Sequence, residues 1–234
     1  MAVDSGLEAA EFDLAVTPLR ELNAALHAIV DSSPRHWRVL NPRGAHALAV
    51  GIDAPVEVEI EGHAGYYCAG MNKQATVRVH GNVGVGCAEN IMSGAVIVDG
   101  NASQSAGATG RGGLVVIRGS AAARCGISMK GVDIVVQGSV GHMSGFLAQK
   151  GTLVICGDAG EALGDSIYEA HVYVRGKVAD LGADCIEKEM RDEHAEELGS
   201  LLERAGVEAS VEDFRRYGSA RQLYNFDVDN AGAY

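Results

Sequence analysis

The sequence predicts a mainly β fold: a right-handed, single-stranded parallel β-helix of about seven 19-residue coils, with an N-terminal helix and C-terminal capping helices. The first observation behind it is a ladder of glycines, Gly62, Gly81, Gly100, Gly119, Gly138, Gly157 and Gly176, each 19 residues after the last. The second is the pair of aliphatic residues four and two positions before each of them: Val58 and Ile60, Val77 and Val79, Val96 and Val98, Val115 and Ile117, Ile134 and Val136, Leu153 and Ile155, Val172 and Val174. The third is a ban on large side chains seven residues after each glycine, where only Ala69, Ala88, Gly107, Gly126, Gly145, Gly164 and Ala183 occur.

A unit of this length cannot bury an apolar face alone, so the units must stack. Alternating β-branched residues mark a strand with one buried face, and the glycine that follows turns the chain. At about 3.3 Å per extended residue, one coil has a perimeter of roughly 60 Å, which closes around only a few side chains. Seven coils at ~4.8 Å spacing make a stack ~30 Å tall. The small residues are expected where one wall leaves no room beside the next, so Gly126→Leu or Gly145→Leu should be strongly destabilising. Leucine-rich repeats would need several leucines and an asparagine per unit, and hexapeptide helices repeat in multiples of six; neither pattern is present.

Before the array, residues 1–16 read as an arm or short strand. Thr17-Pro18 then suggests an N-cap and first turn, with Leu19, Leu22, Leu26, Ile29 and Val30 at helical spacing. Asp31-Ser32-Ser33-Pro34 breaks that helix, Asn41-Pro42-Arg43-Gly44 makes a turn, and Leu48 and Val50 begin a degenerate first coil. After the array, Ile186, Met190, His194, Leu198, Leu201, Leu202 and Ala205 recur at helical spacing up to Gly206, a helix expected to close the far end. Its other face, Glu187, Glu189, Arg191, Asp192, Glu193, Glu196 and Glu197, reads as a solvated charge run. Ser210-Val211-Glu212-Asp213 resembles the start of a short helix carrying Phe214 and Tyr217. The aromatic tail Gln222 to Phe226 either packs on the solenoid or docks on a partner. The chain thus divides into 1–52 (arm, helix and cap), 53–184 (β-helix) and 185–234 (capping helices and docking tail).

Composition narrows the function. A net charge of −12 and a pI near 5.0 argue against nucleic acid or an anionic membrane as partner, and aromatics at 5% disfavour a base- or sugar-stacking surface. No apolar run has the ~18 residues of a membrane span, and Asp4, Glu8, Glu11 and Asp13 replace a basic leader, so a cytoplasmic location is expected. Five cysteines without a CxxC pair indicate neither a disulfide framework nor a zinc finger. Cys68, Cys87 and Cys125 each lie six residues after a repeat glycine and so share one line on the stack. They read as small soft filler, the alternative being a metal or iron–sulfur ladder.

Chemistry-bearing motifs are weak. Gly81 to Gly86 is glycine-rich but belongs to the period and opens no helix, so it is not a dinucleotide loop. Arg111, among the glycines of Gly107 to Gly113, is a turn residue with an anion site as its alternative. The eight histidines form no HxH, HExxH or Ser/His/Asp group. Asp158, Glu161 and Asp165 share one coil, but neighbouring coils lack the stacked acids of a polysaccharide lyase or hydrolase.

The units, of the form Val-x-Val-x-Gly-x-x-Gly-x-x-x-Ala/Gly with Gly70-Met71, Met92-Ser93-Gly94 and Met129-Lys130-Gly131 toward their ends, resemble the GXGXG β-helix domain that closes the large subunit of glutamate synthase. The likeness covers Val58 to Asp184. Having only the β-helix and its flanks, with a similar closing segment from Phe214 to Phe226, the chain looks most like the stand-alone β-helix subunit of N-methylglutamate synthase (methylamine-glutamate N-methyltransferase). The resemblance implies a non-catalytic scaffold within an enzyme complex. Its partners would be a class II glutamine-amidotransferase-like subunit and an FMN-binding glutamate-synthase-like subunit that also carries an iron–sulfur cluster. It assigns no catalytic, cofactor-binding or metal residue to this chain, which begins Met1-Ala2-Val3 and so lacks the amidotransferase's N-terminal cysteine. Two alternatives stand beside it: the C-type β-helix subunit of formylmethanofuran dehydrogenase, and an autonomous lyase or hydrolase acting through Asp158 or Glu161.

Overall fold

The structure, a computed structural model, describes residues 10–31 and 33–223. It is a β-solenoid of about seven turns, mainly β, with two α-helices among the described residues. The buried face of the coil comes from the alternating aliphatics. In β3 (Glu57–Ile60), β4 (Thr76–Val79), β5 (Ala95–Val98), β6 (Leu114–Ile117), β7 (Lys130–Val136), β8 (Lys150–Ile155) and β9 (His171–Val174), the two residues four and two before the glycine are buried in one continuous core. The strands pair in parallel at steps of 19, Val58 opposite Val77, Val77 opposite Val96, and so on to Leu153 opposite Val172. A second, one-residue ladder runs up another wall: Ala64, Val83, Ala102, Ala121, Val140, Ala159 and Val178 bridge in parallel.

Two different constraints keep the periodic small residues small. At the repeat glycine it is space: a Cβ on Gly119 would meet the Gly100 carbonyl oxygen at 2.7 Å, because the chain there runs against the coil below. At the seventh position backbone conformation acts as well. Gly107, Gly126, Gly145 and Gly164 hold φ between 64° and 70°, and Ala69 and Ala88 occupy the same left-handed region at 54° and 56°. Around Gly145 there is room, since an added Cβ would find its nearest atoms at 3.7 Å. Elsewhere on the same line crowding does act, as the sequence suggests: a Cβ on Gly107 would meet the Ile134 Cδ1 at 2.5 Å and one on Gly164 the Cys185 Sγ at 2.8 Å, so space and left-handed φ together restrict the position.

The stack starts earlier than Leu48. Strand β2 (His36–Leu40) forms the first rung, with Trp37 and Val39 buried, and Trp37 lies opposite Val58, a step of 21 rather than 19. Those two extra residues hide the coil from the period. Leu48 lies buried on its return path. Strand β1 (Ala10–Asp13) pairs with β2 and α1 (Leu19–His27) covers the return path, so both walls of the end are protected. Asn23 of α1 does this directly, donating to the Ala47 carbonyl at 2.8 Å and accepting from the Ala49 amide at 3.1 Å. Pro18, not Thr17, occupies the N-cap.

The other end is closed by strands. Residues Arg215–Ser219, expected as helix, form β11, which pairs antiparallel with β9 and with β10 (Cys185–Lys188). The Ser210 signal yields a single 3-10 turn, Val211–Asp213, before the open edge of β9 captures the chain. The helix expected to close that end, α2 (Asp192–Ala205), instead lies along the side of the stack. Its Leu198, Leu201, Leu202 and Ala205 bury against the outward residues Leu114, Val116, Val135, Val154 and Tyr173. Helix α2 stops at Gly206, whose φ of 62° ends it in the left-handed region.

Candidate functional site

Cys68, Cys87 and Cys125 do stack on one line, all fully buried. A hydrogen bond with Cys68, together with burial, pushes the Cys87 thiol well up, and burial pushes Cys125 up to about 12. A metal or cluster requires convergent thiolates. This line offers buried sulfurs spaced along the stack, two on adjacent coils and the third two coils further on, with the Cys87 and Cys125 thiols held protonated, so its residues do not fit an iron–sulfur cluster and pack as filler.

The acids Asp158, Glu161 and Asp165 do not converge on a groove. Asp158 belongs to a rail of side chains, one residue after each repeat glycine, that runs the length of the stack. His63 accepts from the Asn82 amide at 2.9 Å, Asn82 from Asn101 and Asn101 from Ser120 at 2.8 Å each, Ser120 from Ser139 at 3.1 Å, Ser139 from Asp158 at 3.0 Å and Asp158 from Lys177 at 2.8 Å. Each side chain thus satisfies a backbone N–H one coil further on, left free by the turn. Asp165 bonds Ser166 and the Ala183 amide, while Glu161 is exposed. Arg111 is exposed at its corner, and Gly81 to Gly86 form the coil itself.

Two outer faces differ sharply. On the first coils the sheet presents charge: Arg38 bridges Glu11 and Glu61, and Asp99 accepts from Arg78 at 3.0 Å and contacts His80 at 2.8 Å. Glu59, Glu61 and His80 lie close enough to meet at one cation, but all are solvent-accessible and Arg38 and Asp99 already engage two of them. On the return path of the same coils, Tyr66, Tyr67, Met71 and Met92 are about half exposed. Tyr66 stacks on His46 with ring centroids 4.4 Å apart, and Tyr67 and Met71 both hold φ 56°. Large apolar side chains at positive φ and open to solvent suit an interaction surface.

At the opposite end, between β9, β10, β11 and the start of α2, lies a polar cleft of about 300 Å³. Near it Glu197 accepts from the Tyr173 hydroxyl at 2.5 Å and contacts His171 at 2.8 Å. Burial raises the Glu197 carboxyl, but these two partners outweigh it and hold it below the usual range. Burial, then Arg216 and His171, keeps His194 below the ordinary imidazole value and therefore neutral. No helix among the described residues is long and apolar enough to cross a membrane.

Compared with known proteins, the chain is 64% identical over 224 residues to Protein GlxC of Rhizobium meliloti (strain 1021), an alignment spanning 95% of this chain and 98% of that protein. The chain belongs to the GlxC family. No family model matches it, and no solved structure matches it with significance.

Within this GlxC family chain, sequence reasoning missed three sets of residues. The Asn/Ser/Asp rail was visible as a polar position after every glycine, but its partners are backbone amides, which no motif reports. Glu197, assigned to a solvated charge run, is instead half-buried on His171 and Tyr173. The lateral seat of α2 did have a signal. The residue three before each glycine changes from Glu59 and Arg78 to Ile97, Val116, Val135, Val154 and Tyr173, so the outer face becomes apolar where the helix lies.

Proposed function

We propose that this GlxC family chain is the non-catalytic scaffold subunit of a glutamate-synthase-like multisubunit enzyme of the N-methylglutamate synthase type, which joins methylamine to glutamate with release of ammonia. In this reading it braces a class II glutamine-amidotransferase-like subunit and an FMN-binding glutamate-synthase-like subunit, and the flavin and iron–sulfur cluster reside in the latter. The observation that carries the reading is the uninterrupted 19-residue period from Val58 to Asp184, which resembles the GXGXG β-helix of glutamate synthase in its whole repeat. The side-chain inventory supports it. The thiols are buried, Asp158 is committed to the rail, and Asp165 is taken by Ser166 and the Ala183 amide. A stiff stack suits such a role, because two partner sites held at fixed separation can pass a small amine without releasing it to water.

Co-expression of the tagged chain with both partner subunits provides the test. A three-component complex should elute together, with flavin absorbance in the complex and none in the isolated chain. Turnover of glutamine or methylamine by the purified chain alone would sink the proposal, as would elution of the chain apart from both partners. Replacing Tyr67 and Met71 by serine should weaken the assembly while leaving the melting temperature of the isolated chain close to the parent's.

A further inference from the structure

The cleft at the C-terminal end carries more positive charge than its neighbours neutralise, in a chain whose net charge is −12. Arg216 is only 8% exposed and lines the cleft. Its Nε donates to the Glu189 carbonyl at 2.9 Å, which fixes the guanidinium, and its two terminal amino groups have no partner among the described residues. Directly across the β10–β11 pair stands Lys188, also lining the cleft and also without a carboxylate. Like charges facing each other across an antiparallel pair are unfavourable, and a largely buried guanidinium with idle donors is more so.

The nearby acids do not relieve this. Glu169 is taken by Arg221 at 3.1 Å, Glu197 by His171 and Tyr173, and Glu189 and Glu193 by Arg191 at 3.5 and 3.6 Å. The N-terminus of α2, a helix of 14 residues, opens beside the same cleft through Arg191 and His194 and adds its positive end. We propose that the cleft binds a small oxyanion, whose carboxylate or phosphate group takes both free amino groups of Arg216 and the ammonium of Lys188. A fork of two parallel N–H donors matches either group, and the polar lining suits a small hydrophilic ligand over an apolar one. This site is independent of the scaffold reading.

Calorimetric titration of the full chain at constant chloride, with inorganic phosphate in one arm and glutarate in the other, tests it. Saturable binding is expected in at least one arm, and the arm that binds identifies the group. Lys188→Met and Arg216→Lys should each weaken binding by about tenfold, the second because it keeps the charge and loses the fork. Circular dichroism checks that both variants are folded; if Arg216→Lys is not, the half-buried Lys188 decides alone. Absence of binding by either anion at about 10 mM, or binding unchanged in the folded variants, overturns the proposal.

Discussion

Gly119 and Gly145 are both periodic and both intolerant of large side chains, yet they fail differently when changed. Gly119→Ala drives a Cβ into the Gly100 carbonyl and the Asn101 side chain, and should cost about 2–3 kcal/mol in denaturant unfolding. Gly145→Ala meets nothing closer than 3.7 Å but must hold φ near 70°, so its cost should be about 1 kcal/mol, as Ala69 and Ala88 already accept. Equal losses would refute the separation of space from backbone conformation. The thiol line gives a pH test. Unfolded thiols ionise near 9 while Cys125 is held at about 12, so above pH 9 the unfolded chain binds fewer protons and stability should fall with rising pH until about 12. Cys125→Ala should lessen that fall in melts taken between pH 8 and 11, the other buried thiols keeping the rest, and native Cys125 should resist alkylation below it.

The lateral seat of α2 sets the expectations for elements. Leu201→Ala removes a side chain only 2% exposed from a closed interface and should cost about 2–4 kcal/mol. Because α2 lies along β6 to β9, amide exchange should quicken in those strands and not in β2 to β4; uniform quickening would contradict the packing. The coils themselves were legible in the sequence because stacking demands the same solution 19 residues later, so Val58 and Val77 announce each other. The ends were not, because each is solved once. Two extra residues carry β2 out of phase with the period, and Arg215 to Ser219 becomes strand only because β9 offers an unpaired edge far away in sequence. The cleft was illegible for a related reason: Lys188 and Arg216 are brought together by an antiparallel pairing that no local pattern foretells.

At the scale of the molecule, near-uniform coils should be removable as units. Deleting 77–95 joins Thr76 to Val96 and restores every alternation, leaves β6 to β9 whole, and takes only the partly buried Ala95 from the rim of the α2 seat. That variant should fold cooperatively with a lowered melting temperature, whereas deleting 77–94 inverts the faces of the next strand and should abolish folding, as read by circular dichroism. A shortened chain that melts no differently in the two cases would show that phase is unimportant. The reversal of β11 and β10 against β9 has a further consequence. Every other rung could template one more parallel rung, but this end turns its direction and so does not continue the parallel array. The protein is a measuring stick with a stop at its tip, its length adjustable only in whole graduations of about 4.8 Å. Any machine assembled on it inherits distances counted in those graduations.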